Sequence, residues 1–444
     1  MRGLRKVAGA VAAVALAGVW LTPVPAHADV VRDSQGPVLV TLGMEAAWKV
    51  TKGDGVTVAV VDTGVDPNHP DLKGSVTTGP NMLKEIDDGA APLRVHGTAM
   101  ASLIAGHGHG PGGRDGIIGM APEASVLSIR VIAEEGDENY RRFRTTDEAE
   151  DALARGIRYA VDHGADVINL SLGGAGAADG DRAAIGYAIG KGVVVVAGVG
   201  NDGDKERFVD EDGFTRYSYP ASYPGVIAVA ATRLDGTRAE FSNRNYSVLL
   251  SAPGQGLFAA RPGDGYHVSS GTSDSTALVS GIAALIRARY PDLPPALVSQ
   301  ALIESTGNGR SRDYDAGLGF GSVHASRALA AAGALASADA RADEDKPAGQ
   351  RFGADPGPVE VIERPAWVRP LIIVIVLAGI GGTVAAGAIS LAFRRRHPKP
   401  PPRPPAAEPP ARGPSTGGPP APRPPAGGRA FNPYGPPYGG GGRR

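Results

Sequence analysis

Between residue 51 and about residue 332, short apolar runs alternate with longer stretches of mixed polarity. The runs at 56–61, 125–131, 166–170, 193–197 and 227–230 are rich in valine and isoleucine and carry apolar residues at successive positions. That pattern suits strands covered on both faces. Between them, 146–163 reads as a helix, with Thr145 and Glu148 at the spacing of a capping box. A second helix is expected from Ser273 to Tyr290, just before Pro291. Alternating strands and helices predict an α/β domain over 51–332 with a mainly parallel sheet. No internal repeat interrupts it.

The ends of the chain follow other rules. Arg2, Arg5 and Lys6 precede an apolar run at 7–21, and Ala26-His27-Ala28 has the small-x-small form of a cleavage site. Residues 1–28 therefore read as a secretory signal peptide. Residues 371–393 hold no charge, are long enough to cross a bilayer, and are followed by Arg394, Arg395 and Arg396. This predicts one C-terminal transmembrane helix with its basic flank in the cytoplasm, which leaves 29–369 outside the cell at the membrane. Residues 333–370 read as a flexible tether. Residues 394–444 are dominated by proline and glycine and read as a disordered cytoplasmic tail.

Composition narrows the chemistry. The 444 residues include no cysteine, which excludes disulfides, thiolate catalysis and cysteine-bound zinc. A net charge of −1 gives no reason to expect nucleic-acid binding.

Candidate reactive residues sit where strands end or helices begin. Asp62 closes the first strand pattern, and in open α/β sheets sites gather at the carboxyl ends of strands. His96 opens a small-residue helix pattern, and Gly97 behind it lets another backbone come close. Ser273 stands at the start of the long helix, where the helix dipole favours developing negative charge. A serine becomes nucleophilic only beside a base, and that base needs an acid to hold its tautomer. Asn201 follows the strand at 193–197, where its amide could donate to an oxyanion. The order Asp, His, Ser is the one given by subtilisin, a known precedent rather than a deduction. Ser275 stands where a Gly-x-Ser-x-Gly elbow needs glycine.

The stretches 60–66, 96–98, 119–122, 168–174, 198–201, 219–224 and 271–273 together resemble the subtilase family of serine proteases, over about residues 53–332. The resemblance implies a three-layer subtilisin-like fold. It makes Asp62 the orienting acid, His96 the general base and acid, Ser273 the nucleophile and Asn201 an oxyanion-hole donor. It assigns Ser171, Leu172 and Gly173 to an edge on which a substrate peptide adds as a strand. No cofactor is required; a structural calcium ion is in keeping with the family. The signal, single span and basic flank resemble the mycosins, actinobacterial proteases that work with type VII secretion systems. Residues 38–48 resemble that subfamily's N-terminal extension, and 29–50 is too short for an independently folded inhibitory pro-domain. The implied partners are a peptide or protein substrate, the membrane and the secretion machinery. The competing reading is a structural, protease-like subunit that stabilises a secretion complex.

Two features depart from the family. Asp274 follows the nucleophile where an apolar residue is usual, and Ala277 replaces a frequent proline. A carboxylate there should oppose a negative intermediate, so slow turnover is expected, or a side chain turned toward solvent or a cation. The charged stretches 134–150 and 202–216 match no calcium motif and read as solvated loops. His107 and His109 lie in a glycine-rich stretch that reads as a mobile loop, not a metal site.

Overall fold

In the computed structural model of the chain, residues 30–307, 314–345, 379 and 381–391 are described. The strands are β1 (Thr57–Asp62), β2 (Val76–Asn81), β3 (His107–His109), β4 (Asp115–Ile118), β5 (Ser125–Arg130), β6 (Val167–Leu170) and β7 (Val194–Gly198). They continue as β8 (Ile227–Thr232), β9 (Leu250–Pro253), β10 (Gln255–Arg261) and β11 (Gly265–Ser270). The helices are α1 (Val30–Thr41), α2 (Met44–Trp48), α3 (Lys84–Asp87), α4 (Val95–Ala105) and α5 (Tyr140–Thr145). After them come α6 (Ala152–Asp162), α7 (Asp179–Gly190), α8 (Thr272–Arg289), α9 (Pro295–Glu304) and α10 (Ala325–Asp345).

Seven strands make one sheet in the order β2-β5-β1-β6-β7-β8-β9. Every pairing within it is parallel. The alternating faces of β1 enter two different cores. Val58 and Val60 pack with Leu103, Ile104, Leu278 and Ile282 from α4 and α8. Ala59 and Val61 pack with Ile157, Ile185 and Ala188 from α6 and α7. The result is the expected three-layer arrangement, and it explains why these strands are apolar at successive positions. From β1 the chain builds toward β5 and β2 on one side, then toward β6–β9 on the other. That reversal opens a crevice at the carboxyl end of β1, where Asp62 lies.

The N-terminal extension belongs to this body. Val38, Leu42, Met44 and Ala47 are buried in the α4–α8 core. Arg32 donates to the carbonyls of Gly113, Asp115 and Gly116, and Trp48 Nε1 to Met120 O. Gln35 and Ile118 exchange two hydrogen bonds.

Four expectations need correction. The helix predicted over 146–163 begins only at Ala152. Thr145 instead ends α5 and donates to Arg141 O, so it caps nothing downstream. The stretch around His107 and His109 is an ordered hairpin, β3 paired with β4, pinned where His109 Nδ1 meets Asp71 Oδ1 at 2.6 Å. Residues 333–345 continue α10, so the chain is helical where the tether was expected to start. The charged segments 134–150 and 202–216 supply side chains and walls to the site described below.

The expected signal peptide and tail, and 11 of the 23 residues of the expected span, fall outside the described residues. Residues 381–391 are helical. Among the described residues, no helix is long and apolar enough to cross a membrane.

Candidate active site

Asp62 is fully buried, and its Oδ1 accepts from Thr63 N at 2.7 Å. The same oxygen lies 2.7 Å from His96 Nδ1. His96 is held there by its backbone. It is the second residue of α4, whose entry residue Arg94 has a left-handed φ of 59° and gives no side-chain cap. The orphan helix donors are instead met by Glu134, with Oε1 2.7 Å from Val95 N and Oε2 3.2 Å from His96 N. Gly97 is required by a close approach: a Cβ there would stand 2.2 Å from Gly64 O. Its N–H donates to Thr63 Oγ1, which ties α4 to the end of β1.

Ser273 is the second residue of α8 and 5% exposed. Its Oγ lies 3.1 Å from Ser171 O, and Ser171 Oγ donates back to Ser273 O at 3.0 Å. Asn201 follows β7, and its Oδ1 accepts from Thr272 N at 2.9 Å. That bond leaves the amide NH₂ as the outward donor. The position of a Cβ on Gly271 lies 3.4 Å from Asn201 Nδ2 and 3.6 Å from Ser273 N, so both donors border one small volume.

Ser171, Leu172, Gly173, Asn201 and Ser273 line one cleft of about 760 Å³. Asp202, Phe208, Arg216 and Tyr217 form part of its wall, so the 202–216 segment borders the cleft. Two of its acids are engaged locally: Asp202 pairs with Lys205 at 2.6 Å, and Asp210 Oδ1 accepts from Asp212 N and Phe214 N. Among the described residues, no three His, Cys, Asp or Glu side chains converge as metal ligands. A second cleft of about 800 Å³ lies across Leu172, Gly173 and Gly174, walled by Tyr140, Phe143, Leu153 and Tyr219. The 134–150 segment thus contributes to the site as well.

The electrostatics centre on His96, whose side chain is 22% exposed. Burial pulls its pKa down, but the charge of Asp62 and the bond to it reverse that, and Asp274 and Glu134 add to the effect. The outcome is a pKa raised to about 9. Burial pushes the Asp274 carboxyl up to about 6, against the Ser269 hydrogen bond and the His96 charge. Asp274 is 1% exposed, so of the alternatives expected for it the turn toward solvent does not occur. Its Oδ2 accepts from Ser269 Oγ at 3.0 Å, and its buried Oδ1 has no partner among the described residues.

Sequence reasoning missed Glu134 and the burial of Asp274. Glu134 lies 38 residues from His96, so no local spacing could signal the contact.

A buried aspartate bonded to a helix-start histidine, and a cleft lined by Ser273 and Asn201, are parts that a serine peptidase uses. A family model described as the subtilase family matches residues 53–321, and the chain belongs to that family. It is a subtilisin-like serine endopeptidase. It is 38% identical to thermitase of Thermoactinomyces vulgaris over 242 residues, 54% of this chain and 77% of that one. It is 37% identical to an intracellular serine protease of Paenibacillus polymyxa over 246 residues, 54% of this chain and 69% of that one. Among solved structures it resembles the MycP3 protease from the type VII (ESX-3) secretion system. The TM-score is 0.53 at 32% identity, covering 66% of this chain and 87% of that one. MycP1 from Mycobacterium smegmatis gives 0.54 at 30%, covering 66% and 84%.

Proposed function

We propose that the chain is a membrane-anchored endopeptidase acting outside the cell in type VII secretion, with Asp62, His96 and Ser273 as its triad. The observation that carries the catalytic part is the 2.7 Å contact of His96 Nδ1 with Asp62, together with a cleft lined by Ser273 and Asn201. A substrate strand lies along Ser171, Leu172 and Gly173, the edge that separates the two clefts. Ser273 Oγ attacks the peptide carbonyl carbon and its proton passes to His96 Nε2. Asp62 keeps the proton on Nδ1 and stabilises the imidazolium. The oxyanion takes hydrogen bonds from Asn201 Nδ2 and Ser273 N. As the C–N bond breaks, His96 returns the proton to the leaving amine. Water then hydrolyses the acyl-enzyme by the same steps in reverse.

The membrane part rests on the uncharged stretch 371–393 with three arginines after it, and on the signal-like residues 1–28. The secretion part rests on the likeness to MycP3 and MycP1. A structural calcium ion would have to bind outside the acids of 202–216 that are already engaged. The buried charge of Asp274 beside the nucleophile favours a second reading, a subunit whose presence matters more than its turnover. Labelling with a fluorophosphonate separates the two. Ser273-dependent labelling, lost in Ser273→Ala, supports the peptidase; a chain that never labels sinks it. Rescue of secretion by Ser273→Ala would show that the structural role suffices.

A further inference from the structure

The second cleft and the start of α4 are joined by four consecutive residues, 131–134. Val131, Ile132 and Ala133 line the cleft, and Phe143, Leu153 and Tyr219 give it surface for a bulky apolar side chain. The next residue is Glu134, whose two oxygens meet Val95 N at 2.7 Å and His96 N at 3.2 Å. Both ends of this stretch are anchored. On one side Arg130, at the end of β5, donates through one Nη to Thr63 O and Ile132 O and pairs with Asp87 and Asp137. On the other, Asp137 Oδ2 accepts from Glu134 N at 3.0 Å, while its Oδ1 accepts from Leu93 N at 2.8 Å. The anchors reach the residue after Asp62 and the segment that enters α4. A load on the cleft wall is therefore passed along the chain to the Glu134 carboxylate. Of its two contacts, the one to His96 N is the longer, at the far end of the ordinary N–H···O range. Contacts around a catalytic base often tighten only once substrate binds.

We infer that Glu134 is a positioning residue that couples the second cleft to the base. A substrate side chain packed against Val131, Ile132 and Ala133 presses Glu134 onto the start of α4 and so sets His96 for proton transfer from Ser273. The inference rests on the triad and the substrate edge proposed above. Leu172 and Gly173 border both clefts, and side chains alternate along an extended strand, so one substrate reaches both. Binding in the second cleft then serves to align the base, and its effect appears in kcat instead of KM.

The test uses the full chain and peptide p-nitroanilides that differ only in phenylalanine or alanine at the second, third or fourth residue before the cleaved bond. In the parent, phenylalanine at the residue that enters the cleft should raise kcat about tenfold with little change in KM. In Glu134→Gln, which keeps the size but loses one acceptor, and in Glu134→Ala, that advantage should shrink to within about twofold. A merely structural Glu134 would slow both peptides alike and leave their ratio intact. An equal ratio in parent and variants overturns the inference, and so does a parent in which phenylalanine acts on KM alone. In a Ser273→Ala background, the His96 ring signals in NMR should move further with the phenylalanine peptide bound than with the alanine peptide. Identical signals refute the coupling. This arm keeps Glu134 and needs no turnover, so it decides even if neither variant folds. Missing Ser273-dependent labelling would sink the triad reading alone.

Discussion

Replacing Arg130 with methionine should cost the fold about 3–5 kcal/mol, the usual loss when one partner of a buried ion pair is removed. Arg130 ends β5 and pairs in register with Asp62. Its side chain is 4% exposed. Nε and one Nη lie 2.9 and 2.8 Å from the two oxygens of Asp87, and the same Nη lies 2.9 Å from Asp137 Oδ2. The other Nη donates to Thr63 O and Ile132 O at 3.0 and 3.1 Å. Burial alone would lower the guanidinium pKa, but Asp87 and Asp137 more than offset it, so the cation is well compensated. Methionine would strand two buried carboxylates. Each keeps some donors: Asn81 Nδ2 for Asp87, and the backbone N–H groups of Leu93 and Glu134 for Asp137. Those bonds hold the loss within the stated range instead of doubling it. For a domain of this size the melting temperature should fall by roughly 6–15 °C. Urea unfolding in a Ser273→Ala background, which prevents self-digestion, measures the loss. Adding Asp87→Asn and Asp137→Asn should recover much of it, because the stranded charges go with them. A single variant within about 1 kcal/mol of the parent would refute the reasoning, since a broken buried pair should exceed that value.

Three further outcomes follow from contacts around the site. Glu134→Ala removes the cap from α4 and should cost about 1 kcal/mol of stability. It should also lower kcat about tenfold or more with little change in KM, because a slightly misplaced His96 is a poor base; equal kinetics to the parent would deny Glu134 this role. Asn201→Ala should lower kcat by about 10²–10³ with KM nearly unchanged, read from steady-state peptide hydrolysis. A loss confined to KM would place the amide on the substrate rather than the oxyanion. Asp181 lies against Asp151, and burial with that like charge raises its pKa to about 6. A raised carboxyl pKa means that the folded state holds the proton more tightly, so stability is full near pH 4 and is lost as pH rises through about 6. Asp181→Asn should therefore raise the melting temperature at pH 7 and leave it unchanged near pH 4; a gain equal at both values would point to packing instead.

What could be read from the chain and what could not divides by the range of the cause. Strands β1, β5, β6, β7 and β8 were legible because burial on both faces writes a run of apolar residues into local sequence. β2 was not, because Thr77, Thr78 and Asn81 are exposed and the strand forms only by pairing with β5. The β3–β4 hairpin looked like a loose glycine-rich loop. Its order comes from Arg32, more than 80 residues earlier in the chain, and from Asp71 beneath His109. The helix start misjudged at Thr145 had the spacing of a cap, yet α5 used that residue as its own end.

The site shows the same division, with a consequence for its chemistry. Asp62, His96, Asn201 and Ser273 sit at element ends, and element ends leave signatures of turn and small residues. The groups that set their electrostatics leave none. Glu134 reaches α4 from a stretch that looked like a solvated loop, and Asp274 is turned inward where its charge suggested solvent. A charged residue in a sequence advertises its hydration cost but not whether the fold accepts it. Here the fold accepts Asp274 within the field of a histidine that is already paired. The candidate nucleophile and base could be found by motif, but the charge around His96 comes from carboxylates on separate elements, Asp62, Asp274 and Glu134. For this chain, the candidate reactive residues are legible locally and the charged groups around them are not.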